Sequence, residues 1–229
     1  MQRKAQRRVL AIDVGGTHIK LRISGQRQTR VFESGPTMTP RKMVAHVRQL
    51  TAGLKYDVVS IGYPGVVSHG KITTEPYNLG HGWVGFNFRK AFDRPTQVMN
   101  DAAMQAIGSY EGGNMLFLGL GTGLGTALVV DGMVAPMELA HLPYKHGLSY
   151  EDYVGERGRR RLGPKKWRHE VAAVVELLSK ALEADYVVLG GGNARKLKKL
   201  PKKARLGNNE FAFLGGYRVW RPAAPRLAT

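Results

Sequence analysis

The sequence predicts an α/β fold, and three observations carry that prediction. Segments with strand character come first, helical segments follow, and strands return near the end, which is the order seen in mixed α/β proteins. Two glycine-rich turns, within residues 15–17 and 121–125, each stand between two strand-like segments. No low-complexity linker divides the 229 residues. A chain of that length can bury a substantial core, as one large lobe or two small ones.

The first half of the chain reads as strands that alternate with two helices. Apolar or alternating patterns predict strands at residues 9–13, 18–23, 29–33, 57–62 and 96–99. The Thr39-Pro40 pair predicts the start of a helix that runs to about residue 54. A second helix is expected over residues 102–110.

The second half returns to strands around the second glycine-rich turn and then becomes helical. We predict strands at residues 114–119, 126–130 and 186–189, helices at 150–162 and 164–182, and a basic helix that opens at residues 190–193. The Pro- and Ala-rich tail after Trp220 is expected to be frayed. The predicted lobes are residues 1–103 and 104–229, and the C-terminal helix is expected to return to the first lobe.

Both glycine-rich turns have the composition of a phosphate-binding loop. Glycine lets the backbone approach an anion closely and turn its N–H groups inward, and the hydroxyls of Thr17 and Thr122 add donors. The Walker pattern is absent, and strand-like sequence follows each turn, which argues against a dinucleotide fingerprint. One such turn taken alone is more often a plain hairpin. Two with matching Gly-Thr content indicate that phosphates are held from two sides.

The lack of cysteine and of a long apolar segment argues against disulfide-rich, zinc-thiolate and membrane-spanning proteins. The chain has no cysteine, so it has no disulfide framework and no thiolate zinc site. A reducing, cytoplasmic location is therefore expected. We predict neither a signal peptide nor a membrane span, because the apolar run near the basic N-terminus ends at Asp13 and is too short for either.

Charge is concentrated in three acid-free runs. The chain has 35 Lys and Arg against 17 Asp and Glu, a net charge of +18. The N-terminal cluster is Arg3, Lys4, Arg7 and Arg8. The second basic cluster is Arg157, Arg159, Arg160, Arg161, Lys165, Lys166 and Arg168, and the third is Arg195, Lys196, Lys198, Lys199, Lys202, Lys203 and Arg205. Such density attracts polyanions. The alternative is a solvated basic face.

Two further constellations have the residue types of an acid–base and sugar-binding site. Asp101 follows Asn100 at the carboxyl end of a predicted strand, where a carboxylate can accept a proton from a hydroxyl group. The alternative is that Asp101 caps the next helix. Glu138 and His141 are three residues apart and share a face on a helical turn. Such a pair can bind adjacent sugar hydroxyls, and is otherwise structural.

Two positions at predicted helix starts complete the set of candidates. Glu151 begins a helix, where the macrodipole alone favours a carboxylate. The glycines at residues 190–192 precede the predicted basic helix and are a natural anion or nucleotide contact. The alternative for these glycines is a tight turn.

Taken in order, these motifs resemble the ROK sugar kinases. The motifs are DVGGT at 13–17, GYPG at 62–65, Asn100-Asp101, GTGLG at 121–125, Glu138-x-x-His141, Glu151 and GGG at 190–192. YEDYVG at 150–155 and VLGGGNA at 188–194 look like the polyphosphate glucokinase branch of that family. The likeness covers residues 9–220. It implies a two-lobed actin-like/hexokinase (ribonuclease H-like) fold with a central cleft.

The resemblance also implies roles for individual residues. Asp101 matches the catalytic base that faces the sugar 6-hydroxyl. The residues matched to the sugar site are Gly65, Asn78, Asn100, Asp101, Glu138, His141 and Glu151. Those matched to the donor site are Asp13, Gly15, Gly16, Thr17, Lys20, Gly121, Thr122, Gly123, Gly191 and Gly192, to which the charge pattern adds Lys165, Lys166, Lys198 and Lys199.

The implied activity is a glucokinase that makes glucose 6-phosphate. Because basic runs of this length suit a long anion, and are expected on helices that flank Glu151 and the residue 190–192 turn, we expect inorganic polyphosphate as donor, with ATP as a second donor. The alternatives are a strictly ATP-dependent glucokinase or glucomannokinase, and a non-catalytic polyanion- or nucleic-acid-binding protein. The ROK repressors carry a winged-helix domain, which we do not expect because the first strand begins by Val9.

The expected cofactor is Mg²⁺, held through donor phosphates near Asp13. Zinc is not expected, since residues 142–150 stand where most ROK proteins have a cysteine-rich zinc loop. Ala140 also replaces the glycine that often precedes the histidine, and we expect binding to survive that methyl group. Nucleic acid and membrane are not expected partners. The family likeness implies a homodimer.

Overall fold

The computed structural model describes residues 7–208, 210–222 and 225–227. Its first elements are β1 (Val9–Val14), β2 (His18–Ile23), β3 (Arg30–Glu33), α1 (Pro40–Leu50), β4 (Val58–Tyr63), β5 (Val67–Ser68), β6 (Lys71–Ile72), α2 (Phe88–Phe92), β7 (Thr96–Asn100) and α3 (Asp101–Ser109). Then follow β8 (Met115–Leu120), β9 (Leu124–Val130), β10 (Met133–Met137), β11 (Pro143–Lys145), β12 (Leu148–Ser149), α4 (Tyr150–Val154), α5 (Glu156–Ala181), β13 (Tyr186–Gly190), β14 (Ala204–Leu206), α6 (Glu210–Arg218) and β15 (Arg226–Leu227). The predicted α/β class is confirmed.

The first sheet has five strands in the order β3-β2-β1-β4-β7. β1, β4 and β7 run parallel, so their carboxyl ends meet at one edge. Asp13 is level with Gly62, and Tyr63 is level with Asn100. The turn between β1 and β2, which with its strands we call the first hairpin, therefore lies at the same edge as the start of α3.

The second sheet has six strands in the order β14-β13-β8-β9-β10-β15. β8 and β9 are antiparallel, and with the turn at residues 121–123 they form the second hairpin. β13 runs parallel to β8 with Gly190 level with Gly119. The chain therefore leaves β13 beside the second hairpin.

Helices α3 and α6 pack against one another and join the two sheets. Their close approach needs glycine, because a Cβ on Gly108 would overlap the backbone of Phe211. α6 also packs on β1 and β4, where the Ser60 hydroxyl donates to the Gly216 carbonyl over 2.6 Å. One cluster of buried apolar side chains lies on the outer face of the first sheet, one lies between the second sheet and α5, and one surrounds α3.

Two local predictions are wrong. The predicted helix at 150–162 is two helices, because the chain leaves helical geometry at Gly155 between α4 and α5. The predicted boundary between the helices at 150–162 and 164–182 is confirmed, since α5 is kinked at Gly163 (φ 72°), which precedes Pro164. The basic helix after residue 192 is a single 3₁₀ turn, Ala194–Lys196, followed by β14. Like charges repel one another along this run, and Pro201 cannot continue a helix.

The C-terminal tail is more ordered than expected where the structure describes it. β15 pairs in parallel with β10, with Met133 level with Arg226. The rest of the expected frayed tail, residues 223–224 and 228–229, lies outside the described residues. Within the described ranges, no helix has both the length and the apolar composition required to cross a bilayer.

Candidate active site

At the junction of β7 and α3, two adjacent polar residues have different roles: Asn100 caps the helix and Asp101 does not. Asn100 is the N-cap of α3: its Oδ1 accepts the Ala103 N–H at 3.1 Å, and its Nδ2 donates to the Gly65 carbonyl at 3.2 Å. Asp101 is the first helical residue, and its Oδ1 accepts the N–H of Ala102 at 2.8 Å. The interpretation of Asp101 as the cap is therefore wrong, and one oxygen of its carboxylate remains available for another partner.

Burial and neighbouring charge make Asp101 a base suited to neutral pH. Its pKa is raised to about 7, first by burial, then by the charge of Asp13 and, more weakly, that of Glu138. The pKa of Asp13 is itself raised by burial, an effect that the charge of Lys20 opposes. A carboxylate with a pKa near the working pH is well matched to accepting a proton.

The turn of the first hairpin presents backbone donors. The N–H of Gly15 donates to the His18 carbonyl at 3.1 Å and closes the turn. The N–H groups of Gly16 and Thr17 have no hydrogen-bond acceptor among the residues that the structure describes. They are free to bind an anion, as predicted for a phosphate-binding turn.

Two side chains flank the first hairpin. A Cβ on Gly16 would lie 2.9 Å from the Cβ of Asn78, so glycine is needed here for close approach. Asn78, a predicted sugar ligand, thus lies against the first hairpin. Lys20 faces Asp13 across the β1–β2 pair, which places one cation and one carboxylate side by side.

The turn of the second hairpin has a similar arrangement of donors. The N–H of Gly121 points inward, 3.1 Å from the carbonyl oxygens of both Gly119 and Gly123. The N–H groups of Thr122 and Gly123 find no acceptor within the described part of the chain. Each hairpin therefore offers two consecutive N–H groups, and Gly121 is not one of the free donors that we predicted.

Side chains from other elements surround the second hairpin. Glu151 Oε2 accepts the N–H of Leu124 at 3.1 Å, and a Cβ on Gly123 would overlap that carboxylate. A Cβ on Gly125 would lie 3.1 Å from the Cβ of Ala102. The second hairpin thus touches the first turn of α3 directly beside Asp101.

Glu138 and His141 lie together at the end of β10. Leu139–His141 form one 3₁₀ turn, and Glu138 Oε2 is 3.7 Å from His141 Nε2. The predicted shared face is confirmed. The pKa of Glu138 is raised, first by burial, with an opposing effect of His141 and a further increase from the Glu151 charge. Both side chains are at least half exposed and can meet a solute.

The glycines after β13 form a turn that docks on the second hairpin. Gly191 has φ 78°, and a Cβ there would overlap the backbone of Leu120. The N–H of Asn193 donates to the Leu120 carbonyl at 2.9 Å, and its Nδ2 donates to the Gly121 carbonyl at 3.0 Å. Lys196 Nζ donates to Asn193 Oδ1 at 2.7 Å. The tight-turn alternative is the observed structure, and no long helix provides an N-terminus.

The ROK family model matches residues 9–136, more than half of the chain. This protein belongs to the ROK family. A polyphosphate glucokinase of Mycobacterium tuberculosis is 27% identical over 217 residues, which cover 85% of this chain and 81% of that protein. A glucokinase of Pyrobaculum calidifontis is 28% identical over 137 residues, 55% of this chain and 44% of that protein.

Solved structures confirm the two-lobed actin-like/hexokinase fold of this ROK protein. The inorganic polyphosphate/ATP-glucomannokinase of Arthrobacter sp. strain KM superposes with a TM-score of 0.79 at 22% identity, covering 92% of this chain and 97% of that one. A ROK family glucokinase of Streptomyces griseus, solved with glucose and AMPPNP, gives 0.74 at 14% identity, with 93% and 98% covered.

The second basic cluster is less cationic than its sequence indicates. Arg157 pairs with Asp152 at 3.2 Å, and Arg159 and Arg160 pair with Glu156 at 2.7 and 2.9 Å. Hydrogen bonds from Arg159 and Arg160 hold the pKa of Glu156 well below its usual range. The run contains no acid in sequence, but two carboxylates just upstream pair with three of its arginines and offset two of its positive charges.

The predicted donor lysines are exposed, and no contact places them at a hairpin. They are Lys165, Lys166, Lys198 and Lys199. Their contact with the donor stays a prediction, and the third cluster does not lie on the helix that we expected. Lys196 is the cation of that cluster that approaches the second hairpin, 3.9 Å from Glu156. Arg3 and Lys4 lie outside the described residues.

Sequence reasoning missed two residues at the second hairpin. The N–H of Glu156 donates to the Thr122 carbonyl at 3.2 Å, and Asn193 binds Gly121 as above. The spacing of Glu156 three and four residues before Arg159 and Arg160 predicts its ion pairs, but no local pattern predicts its contact with Thr122. The role of Asn193 rests on β13 pairing beside β8, which a local pattern does not show.

A magnesium ion bound with donor phosphates fits the first hairpin. Burial raises the pKa of the partly buried Asp13 carboxyl group. A cation bound beside it would lower that pKa and stabilise the charged carboxylate. Mg²⁺ usually takes one or two carboxylates together with substrate phosphates and water. No cluster of three or more His, Asp or Glu side chains suited to a metal occurs in the described ranges. The expectation of no zinc stays a prediction.

Proposed function

We propose that this ROK protein transfers a phosphoryl group from inorganic polyphosphate, and also from ATP, to the 6-hydroxyl of glucose. Family membership and the named relatives support sugar phosphorylation. The observation that carries the proposal is the position of Asp101, whose pKa of about 7 depends in part on Asp13 of the first hairpin. Its neighbour Ala102 touches Gly125 of the second hairpin. A base therefore stands where the two anion-binding turns meet.

Proton transfer and phosphoryl transfer are coupled in this arrangement. Asp101 accepts the proton of the sugar hydroxyl as its oxygen forms the new bond to phosphorus, and the bond from phosphorus to the donor oxygen breaks. The transition state is loose, so alignment and charge neutralisation supply most of the rate. The free N–H groups of the two turns, at residues 16–17 and 122–123, are fixed donors for the transferred group.

The sugar is held by carboxylates, an imidazole and an amide. Glu138 and Glu151 accept from sugar hydroxyls, and His141 donates to or accepts from a neighbouring hydroxyl. Asn100 uses one N–H and one lone pair of its amide within the protein, which leaves the second N–H for the sugar. Gly65 contributes by holding that amide through its carbonyl group.

The first hairpin is the proposed place for magnesium. Asp13 would hold the ion together with donor phosphates, and the ion would neutralise charge on the phosphoryl oxygens. Lys20 beside Asp13 adds a cation to the same edge. A homodimer in the cytoplasm, as the family likeness implies, completes the proposal, and light scattering tests the dimer.

A second candidate function differs in the phosphoryl donor, and one observation favours it. The exposed lysines of the second and third clusters and the named relatives support polyphosphate. Pairing of Arg157, Arg159 and Arg160 with acids leaves fewer cations for a long anion, and this favours a strictly ATP-dependent glucokinase or glucomannokinase.

A single assay separates these candidates. Purified protein with Mg²⁺ and either glucose or mannose receives polyphosphate or ATP, and the sugar 6-phosphate is measured. Product with polyphosphate supports the proposal, and product with ATP alone supports the second candidate. No product with either donor, together with tight nucleic-acid binding at matched salt, would replace both with a non-catalytic polyanion-binding protein.

A further inference from the structure

Two adjoining grooves on the surface are lined by arginine and lie apart from the candidate active site. Their volumes are about 660 and 640 Å³, and Arg221 lines both. The arginines along them are Arg7, Arg8, Arg22, Arg27 and Arg221 in the first, and Arg218, Arg221 and Arg226 in the second. We call this surface the arginine groove. No lysine lines it, and Asp131 is the one acid among the described lining residues.

The arginine groove lies on the side of the molecule opposite the hairpin turns. Ser24 and Gly25 line it at the far end of β2, about 20 Å from the first turn at roughly 3.3 Å per residue. Asp131 and Gly132 line it at the far end of β9, about 23 Å from the second turn by the same rise. Tyr110 lines it where α3 ends, one helix length away from Asp101. No candidate sugar or donor residue lines it.

Some of these arginines have structural partners. Arg22 pairs with Glu210 at 2.5 Å and donates from Nε to the Tyr217 hydroxyl at 3.2 Å. Arg218 donates to three carbonyl groups at the end of α3, from residues 107, 108 and 110. Arg8 pairs with Asp57 at 3.7 Å. These contacts explain why the three arginines are present without any ligand.

The other arginines have no such explanation. Arg27, Arg221 and Arg226 are exposed and make no ion pair within the described residues. Arg7 is exposed as well. Its Cζ lies over the ring of Trp220, 5.9 Å from the ring centre. Unpaired cations facing one groove repel one another, and an anion that bridges them removes that repulsion.

We propose that the arginine groove binds inorganic polyphosphate as an accessory site, remote from phosphoryl transfer. The inference rests on polyphosphate being the donor in the proposed function. Guanidinium groups bind phosphate oxygens through two parallel hydrogen bonds, which lysine cannot do. Single-stranded nucleic acid would also need exposed aromatic rings for its bases. Here Tyr110 and Tyr217 are partly buried, with their hydroxyls hydrogen-bonded to a backbone carbonyl group and to Arg22, respectively. The ring of Trp220 is partly buried as well and is covered by Arg7.

Holding a chain at this site would raise the local concentration of donor at the cleft. A polymer bound at one point reaches a second site on the same molecule by an intramolecular step. The benefit requires a chain long enough to extend from the groove to the hairpins. Tripolyphosphate and ATP are too short, so they are not expected to gain from the groove.

The test is binding of long-chain polyphosphate and tripolyphosphate to the full-length protein, with Arg27→Gln/Arg221→Gln compared with the wild type. A matched control is Arg41→Gln/Arg89→Gln, which removes the same charge from exposed helical positions outside the groove. The groove variant should bind long chains roughly five- to thirtyfold more weakly. The slope of log K against log salt should fall by about 1 to 2. ATP turnover and the melting temperature should not change.

Equal binding of long chains by the groove variant and the control would overturn the proposal. So would a groove that binds single-stranded RNA of matched charge more tightly than polyphosphate. A wild-type protein that binds long chains through the groove, yet does not phosphorylate sugar with them, would refute the proposed donor and with it the accessory role, while polyphosphate binding in the groove would stand. The two failures are therefore distinguishable.

Discussion

The two hairpins present similar backbone donors but obtain their charged groups in different ways. In the first, Asp13 and Lys20 belong to the hairpin strands and face each other. In the second, residues 115–130 contain no ionisable side chain. Its polar neighbours come from later segments of the chain, through Glu151, Glu156 and Asn193. The first hairpin therefore carries its own charged groups, whereas the charged neighbours of the second reach it through tertiary contacts.

This difference predicts different sensitivity to mutation. A change in the first hairpin alters charge at the point where it acts. A change in the second alters position, because the turn touches the Asn193 turn and Glu151, which belongs to the proposed sugar site. Under the proposed function, we expect sugar binding and donor binding to be coupled through the second hairpin and separable at the first.

The largest expected effect is at Asp101, which both hairpins approach. Asp101→Asn keeps the shape and cannot accept a proton, so kcat should fall roughly 10²- to 10⁴-fold while glucose affinity is retained. Turnover and isothermal titration with glucose measure the two effects. Asp93→Asn, at an exposed helix end, is the control and should behave like the wild type. A near-normal rate in Asp101→Asn would show that the two hairpins do not converge on a base.

A crossed pair of variants tests local against tertiary construction. Asp13→Asn should lower kcat/KM for the donor roughly tenfold or more, and raise the Mg²⁺ requirement, with KM for glucose unchanged. Gly123→Ala should instead raise KM for glucose roughly tenfold, since the added methyl overlaps the Glu151 carboxylate. Gly121→Ala is its contrast for the glucose KM, because a Cβ there meets nothing within 4 Å. Identical effects of Asp13→Asn and Gly123→Ala on both substrates would erase the distinction.

The contrast between local and tertiary contacts also explains which features could be predicted from the sequence. The strand patterns, the Asn100-Asp101 junction and the Glu138-His141 turn depend on neighbours a few residues away, and the structure has them where they were expected. The predictions that failed concern segments whose structure depends on distant contacts, or in which strand pairing competes with helix formation. The run after residue 192 has helical composition, yet it forms one 3₁₀ turn and then β14, which pairs with β13.

The basic clusters show the same lesson in charge. Counting only the cations within a run overlooks two acids just before it. Glu156 pairs with Arg159 and Arg160 within one turn of α5, and Asp152 of α4 pairs with Arg157 across the junction of the two helices. The arginine groove could not be predicted from the sequence either. Arg27 and Arg221 are separated by most of the chain and come together only because α6 packs on the first sheet.

The pH profile should distinguish the charged hairpin from the uncharged one. The raised pKa of Asp101, about 7, means that its carboxylate form is lost as pH falls below 7, so kcat/KM for glucose should decline there. Asp13→Asn removes a charge that raises this pKa, and should move the decline to lower pH. Burial, the larger cause, remains, so the decline should stay above the ordinary Asp value of about 3.9. Gly123→Ala changes no charge and should leave the profile in place. An unmoved profile in Asp13→Asn would contradict the proposed coupling.

The smallest expected effect concerns Glu156, the acid that accompanies the second hairpin. Its carboxylate engages Arg159 and Arg160, and Lys196 lies 3.9 Å away. Glu156→Gln keeps the backbone N–H bond to Thr122 but releases these cations, so KM for polyphosphate should fall about two- to fivefold, with a steeper salt dependence. Glu176→Gln, which removes the same charge from an exposed pair with Lys180, is the control and should have little effect. A weaker donor affinity in Glu156→Gln would show that the carboxylate positions the hairpin rather than neutralising its surroundings, and the second hairpin would then depend on tertiary contacts even for its electrostatics.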